Sequence, residues 1–189
     1  MMRSNRSRPF RLSRQRGAFA IELVFVLFAL CAIFLFTTDL THKLLLRSQL
    51  DRTSFALVNI LKERIRYYSV VEDGERIARY TLNQADSRDM QILAARMLNV
   101  PHDDVAIKLE ALINNVPQPA FTSAQFDQWH CQPTTPISRL TDLSPVDGGK
   151  IFPLYQVTLC SQAESWFLPF LGERDASATI TSSSVIAGR

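Results

Sequence analysis

Arg16-Gly17-Ala18-Phe19-Ala20-Ile21-Glu22-Leu23-Val24-Phe25 opens a run in which every residue from Ala18 to Phe36 is apolar except Glu22. Nothing comparable occurs later in the 189 residues. As a helix rising about 1.5 Å per residue, the run covers roughly 28 Å. With Thr37 and Thr38 added it reaches across the hydrocarbon core of a bilayer, about 30 Å thick. Upstream lie Arg3, Arg6, Arg8, Arg11, Arg14 and Arg16, with no acidic residue among them. Arginine-rich flanks stay on the cytoplasmic side, so the sequence predicts an inward N-terminus and an outward chain beyond about Asp39. The predicted organisation is a leader over 1–17, a single transmembrane helix over 18–38 and an outer domain over 39–189.

The leader also accounts for the formal net charge of +3. With its six arginines set aside, the rest of the chain is mildly acidic. A nucleic-acid-binding domain carries its positive charge on the folded part, so the distribution argues against a nucleic-acid partner.

Several readings compete for the apolar run. A cleaved secretory signal wants a small-x-small site, but the one around Ala29-Leu30-Cys31-Ala32 is followed by Ile33-Phe34-Leu35-Phe36, a poor exit. A lipoprotein signal wants a small residue before Cys31, where Leu30 stands. An uncleaved anchor leaves Glu22 unexplained. A carboxylate deep in a span costs roughly 2.5–3.5 kcal/mol and calls for a partner. A cut after Gly17 would place a new α-amino group on Ala18, which is i and i+4 with Glu22 on one helix face. The macrodipole also favours a negative charge in the first turns of that helix. The plainer alternative is a lone glutamate among the headgroups.

The block Arg16-Gly17-Ala18-Phe19-Ala20-Ile21-Glu22-Leu23 resembles the class III signal of type IV pilins and pseudopilins. That resemblance implies cleavage after Gly17 by a prepilin peptidase, Ala18 as the first mature residue, and Glu22 as the residue that guides subunit docking. The apolar run would remain as the anchor. Phe is often the first mature residue in the wider class. Here Ala18 precedes Phe19, so methylation of an N-terminal Phe does not carry over.

From Ala18 to Asp73 there is no Pro or Gly. Leu50, Leu57, Leu61, Ile65 and Tyr68, with Ser54, Val58 and Ile60 between them, recur at helical spacing. The spacing predicts an amphipathic helix continuing from the span and stopping at Gly74. Its stripe needs cover from the chain's own outer domain or from a partner helix. A helical turn is predicted over 75–83, and a second helix from an N-cap at Asp86 or Ser87 to about Asn99, burying Met90, Leu93, Ala94, Met97 and Leu98.

Beyond Pro101 the texture changes. Val105, Ile107, Leu109 and Ala111 alternate with Ala106, Lys108, Glu110 and Leu112, and Tyr155 to Cys160 alternates similarly. The stretch from Ala176 to Ile186 reads as a last strand. Between them runs an irregular Pro-rich stretch, 117–153, with Asp147-Gly148-Gly149-Lys150 as a turn. The predicted fold class is α+β: a long N-terminal helix packed on a small, mostly antiparallel, three- or four-stranded sheet.

Cys31 falls inside the span as a small apolar residue. Cys131 and Cys160 fall outside, where an oxidising periplasm favours a disulfide, closing a loop of about 30 residues for ~3–4 kcal/mol. The alternative is two separate buried thiols.

The helix block Leu50-Asp51-Arg52-Thr53-Ser54-Phe55-Ala56-Leu57-Val58-Asn59-Ile60-Leu61-Lys62-Glu63-Arg64 is similar to the post-membrane helix of TadF proteins of the tight adherence system. So are Leu154-Tyr155-Gln156-Val157-Thr158-Leu159-Cys160 and the closing Ser182-Ser183-Ser184-Val185-Ile186-Ala187-Gly188-Arg189. The helix block and the Ser-rich terminus distinguish it from TadE-type relatives, and the region from Tyr67 to Pro153 carries no familiar motif. The resemblance implies a minor pilin-like component of the bacterial inner membrane, needed to assemble the tight adherence (Flp) pilus. Its implied partners are a prepilin peptidase, a TadE-type pseudopilin, the major Flp pilin, inner-membrane platform proteins driven by a cytoplasmic ATPase, and the lipid bilayer.

No catalytic, cofactor or metal constellation stands out. His42, His102 and His130 are scattered; His130 beside Cys131 has no second pair and reads as a turn residue. Glu72-Asp73 and Asp103-Asp104 read as solvated loop acids. The turn at Asp147 lacks the flanks of a P-loop, and no serine sits in a G-x-S-x-G elbow. Trp129, Trp166 and Phe167 read as an exposed contact patch or as core or membrane-interface packing. Two other functions stay open: an anchored periplasmic hydrolase or thiol enzyme, which needs a free Cys131 or Cys160 near His130, and an anchored binding protein using the Pro-rich stretch.

Overall fold

With no proline or glycine to interrupt it beyond Gly17, the N-terminal chain runs as one 52-residue helix, α1 (Arg16–Tyr67). The structure, a computed structural model, describes residues 16–67, 69–72, 75–78, 80–173 and 177–188. After α1 come a hairpin, β1 (Ser69–Glu72) and β2 (Glu75–Ala78), and then helix α2 (Gln84–Leu98). Strand β3 (Val105–Ile113) is followed by two short strands, β4 (Val116–Pro117) and β5 (Phe121–Thr122), and by α3 (Ala124–Gln128). Two 3₁₀ turns then lead to a small hairpin, β6 (Val146–Asp147) and β7 (Lys150–Ile151). The long strands β8 (Leu154–Glu164) and β9 (Ser177–Ala187) flank a single helical turn, α4 (Phe167–Phe170).

The main sheet has the order β4-β3-β8-β9, with β5 also pairing on β3, and every pairing is antiparallel. This is the predicted α+β architecture. The β8–β9 ladder runs in unbroken register from Leu154↔Ala187 to Glu164↔Ser177. One face of the sheet, formed by Val105, Ile107, Leu109, Ala111, Tyr155, Val157 and Leu159, packs against Leu50, Leu57, Val58 and Leu61 of α1 and Met90 and Ala94 of α2. The Tyr155 hydroxyl donates to the Tyr80 carbonyl at 3.1 Å, which ties the linker before α2 to this core.

The amphipathic part of α1 thus finds its cover within its own chain. Ser54 sits in that stripe fully buried, and its hydroxyl lies 3.1 Å from that of Ser182 and 2.8 Å from that of Ser184. A polar residue in an apolar stripe is tolerable where its hydrogen bonds are made. At the end of β9, Gly188 packs so closely on Pro153 and Tyr155 that an added Cβ would lie 2.8 Å from both side chains. The close approach requires a glycine there.

The β3 and β8 strands are buried on both faces, where alternation suggested one. The irregular stretch is the reason. Phe126 and Cys131 lie over Ala106 and Cys160, while Ile137 lies over Leu112 and Leu154.

Four local expectations are corrected. The helix ends at Tyr67 and gives way to a hairpin, because Val70 and Val71 are β-branched and suit a strand; Tyr68 and Gly74 themselves lie outside the described residues. The helical turn expected over 75–83 gives way to strand β2 at Glu75–Ala78, and residues 80–83 carry no regular secondary structure. The N-cap of α2 is Asn83 rather than Asp86 or Ser87. Its side chain accepts from the Asp86 amide while the Asp86 carboxylate accepts from the Asn83 amide, a reciprocal box that places Asp86 at the third helical position. On α2, Met97 is exposed and Ala95 buried in its place.

Candidate functional site

Gly17 and Ala18 lie in the first turn of α1, which begins at Arg16 and has no acidic residue in that turn. Arg3 to Arg14, the rest of the predicted leader, lie outside the described residues. Glu22 is exposed and makes no hydrogen bond or ion pair among the described residues. Around it Phe19, Ile21, Leu23, Val24, Phe25 and Val26 are exposed as well. A helix that is apolar on all sides needs apolar surroundings on all sides. This is the one described helix long and apolar enough to cross a membrane. Glu22 is therefore a carboxylate placed in an otherwise apolar collar. Cys31, also exposed, belongs to the same collar.

Where the collar ends, the C-terminal domain grips the helix. Asp39, only 8% exposed, accepts from the Lys43 ammonium at 2.8 Å one turn along α1. It also accepts from the Ser165 hydroxyl at 2.9 Å and, through its other oxygen, from the Trp166 amide at 3.3 Å. Ser165 in turn accepts from the Leu168 amide at 3.2 Å. The Lys43 ammonium foremost, with help from Ser165 and Trp166, holds the Asp39 carboxyl below its ordinary value against the opposing effect of burial. This clasp pins the β8–β9 connection to α1. Neither Asp39 nor Ser165 was singled out by the sequence, where the only local signal is the i, i+4 pairing of Asp39 with Lys43.

Trp166 and Phe167 fall at this clasp, with the Trp166 ring stacked on His42 at 6.3 Å and Phe167 edge-on to Phe36 at 5.4 Å. Trp129 is half-buried against the pair Cys131 and Cys160 and lines the same cleft as His42 and Trp166. Those cysteines are joined in a disulfide, with Cα atoms 6.4 Å apart, which fastens the irregular stretch to the central strand. The bridge occupies both thiols, which removes the nucleophile that a Cys–His enzyme would need. His130 is exposed and left-handed, with φ 53°, at the turn that ends α3. Among the described residues no three His, Cys, Asp or Glu side chains converge in a way that could hold a metal.

The model of the TadF family, described as "Putative tight adherence pilin protein F", matches residues 11–189. The match runs through the middle of the chain, where no motif was legible, and decides between the TadF and TadE-type alternatives. No curated protein and no solved structure matches the chain.

Proposed function

The chain belongs to the TadF family, a component of the tight adherence pilus system, and from that premise we propose that it is a membrane-anchored pseudopilin needed for assembly of the Flp pilus. Membership implies work with other parts of the tight adherence machinery, and the family is one of structural pilus proteins. In this reading residues 1–17 are a cytoplasmic leader removed by a prepilin peptidase. Residues 18–38 cross the inner membrane with the N-terminus inside, and residues 39–189 form the periplasmic domain.

The observation that carries the reading is Glu22, an exposed carboxylate five residues past Gly17 in an all-round apolar helix. Removal of the leader would place an ammonium group on Ala18, one helical turn before Glu22. In hydrocarbon, where screening is weak, a carboxylate and an ammonium attract strongly. Glu22 of one subunit would then pair with the Ala18 ammonium of itself or of a neighbour, such as a TadE-type pseudopilin or the major Flp pilin. Docking on the platform proteins would use the same exposed collar. The chain contributes position and contact rather than turnover.

Complementation of a strain lacking this chain tests the proposal. Wild type is expected to restore surface pili, while Gly17→Val and Glu22→Ala accumulate in the inner membrane without restoring them. Normal piliation by both variants would count against the proposal.

A further inference from the structure

The connection between β8 and β9 contains six consecutive apolar residues, Trp166-Phe167-Leu168-Pro169-Phe170-Leu171, bounded by Glu164 on one side and Glu173 on the other. The loop does not fold back onto the sheet. It lies along the apolar half of α1: Phe167 meets Phe36 at 5.4 Å between ring centroids, and Phe170 meets Phe28 at 5.3 Å. Phe28 stands eleven residues before Asp39, about 16 Å along a helix rising 1.5 Å per residue. With Asp39 at the outer edge of a hydrocarbon core about 30 Å thick, the Phe170 ring is level with the middle of the bilayer.

We propose that the Trp166–Leu171 loop is a second membrane element, inserted beside α1 into the acyl chains of the outer leaflet. The proposal rests on the reading of α1 as a membrane anchor. Three features of the loop suit hydrocarbon. Its outward side is apolar, with Trp166 59% and Leu171 62% exposed, and Phe170 also open. Its backbone is largely self-satisfied, as lipid requires of any chain entering it. The Leu171 amide donates to the Leu168 carbonyl at 3.0 Å, the Gly172 amide to the Pro169 carbonyl at 3.0 Å, and the Glu173 amide to the Leu168 carbonyl at 3.1 Å. The Leu168 and Trp166 amides are taken by Ser165 and Asp39, and Pro169 has no amide hydrogen. Finally, the polar clasp of Asp39, Lys43 and Ser165 stands where the collar ends, with Trp166 beside it at the depth that amphipathic aromatics favour.

Because α1 is packed into the core of its own domain through Leu50, Leu57, Val58 and Leu61, helix and domain move as one unit, which a single span leaves free to tilt in the bilayer. A second lipid contact from a different part of the chain limits that tilt and sets the unit's depth in the membrane. The orientation matters for a subunit that must present one face to its neighbours.

The test uses the full chain with a single tryptophan, reconstituted in phosphatidylcholine vesicles whose acyl chains are brominated near their middle. Trp129→Phe and Trp166→Phe remove the native fluorophores. Phe170→Trp then reports the loop, and Phe34→Trp, at a position 68% exposed on α1 between the two ring contacts, reports the anchor. Formation of the Cys131–Cys160 bridge, read by mass, certifies that each variant has folded. The proposal expects strong quenching and blue-shifted emission at both positions, with position 34, half-way down the outer leaflet, quenched at least as strongly as position 170. Quenching at 34 alone would overturn it and assign the loop to another subunit or a second copy of this chain. Quenching at neither would overturn the anchor reading and the loop with it.

Discussion

Replacing Asp39 by alanine removes the acceptor that holds the β8–β9 turn against α1. The carboxylate takes the Ser165 hydroxyl at 2.9 Å and the Trp166 amide at 3.3 Å. Hydrogen bonds to a charged group contribute about 1.5–3 kcal/mol each, and the longer Trp166 bond belongs at or below the lower end. The Lys43 bridge adds less than ~1 kcal/mol, since the lysine side chain is 26% exposed. Bonds sharing one acceptor do not add, so the combined loss is about 2–4 kcal/mol. At 1.4 kcal/mol per decade, the turn then opens roughly 30 to 700 times more often. Amide hydrogen exchange in detergent solution measures this directly at Leu171, Gly172 and Glu173, whose amides are bonded within the turn. Amides of the central strand, such as Leu159, are expected to keep their protection. Asp39→Asn keeps an acceptor without the charge and should show a smaller rise.

The same clasp sets a pH dependence. Because the folded carboxyl is held below its ordinary value of 3.8, its stabilisation is complete above that value and fades as the pH falls through the lower folded value. Turn amides that exchange in Asp39→Ala as in wild type would refute the reasoning.

Other outcomes follow from the packing. The double variant Cys131→Ser, Cys160→Ser is expected to lose about 3–4 kcal/mol of unfolding free energy. An unchanged denaturation midpoint, or thiol labelling of the wild type without reduction, would contradict the bridge. Ser54→Ala leaves the Ser182 and Ser184 hydroxyls without their common partner, which should cost about 1–3 kcal/mol. A midpoint equal to or above that of wild type would show that this buried polar contact contributes nothing. Asn83→Ala removes the reciprocal cap of α2 and is expected to cost ~1 kcal/mol. Faster exchange confined to the first turn of that helix would locate the effect.

The long helix and strands β3 and β8 were legible because each repeats a local period, and β9 because its stretch is rich in Thr, Ser and Val. The stripe through Leu50, Leu57 and Leu61 has the spacing of a helix face, and Tyr155 to Cys160 has that of a strand. The errors arose where one residue type serves two structures. Glu75, Arg76 and Ala78 are good helix formers, so strand β2 was hidden until its pairing with Ser69–Glu72 appeared. Asn83, Asp86 and Ser87 can all cap a helix, and the choice of Asn83 shows only in the reciprocal bonds. Burial on both faces of β3 depends on Phe126 and Ile137, which no alternation within the strand can reveal. Of the candidate site, Gly17, Ala18 and Glu22 stand out in the sequence because they lie within six residues of one another. The Asp39–Ser165 contact joins residues 126 apart and leaves no local trace.

The most direct test of the account is the N-terminus of the protein taken from the membrane of its native host, read by mass spectrometry for the wild type and Gly17→Val. The account predicts a mature chain starting at Ala18 in the wild type and an uncut leader in the variant. A wild-type chain that keeps its leader, or that is cut beyond Phe36, would contradict processing at Gly17 and with it the pairing proposed for Glu22.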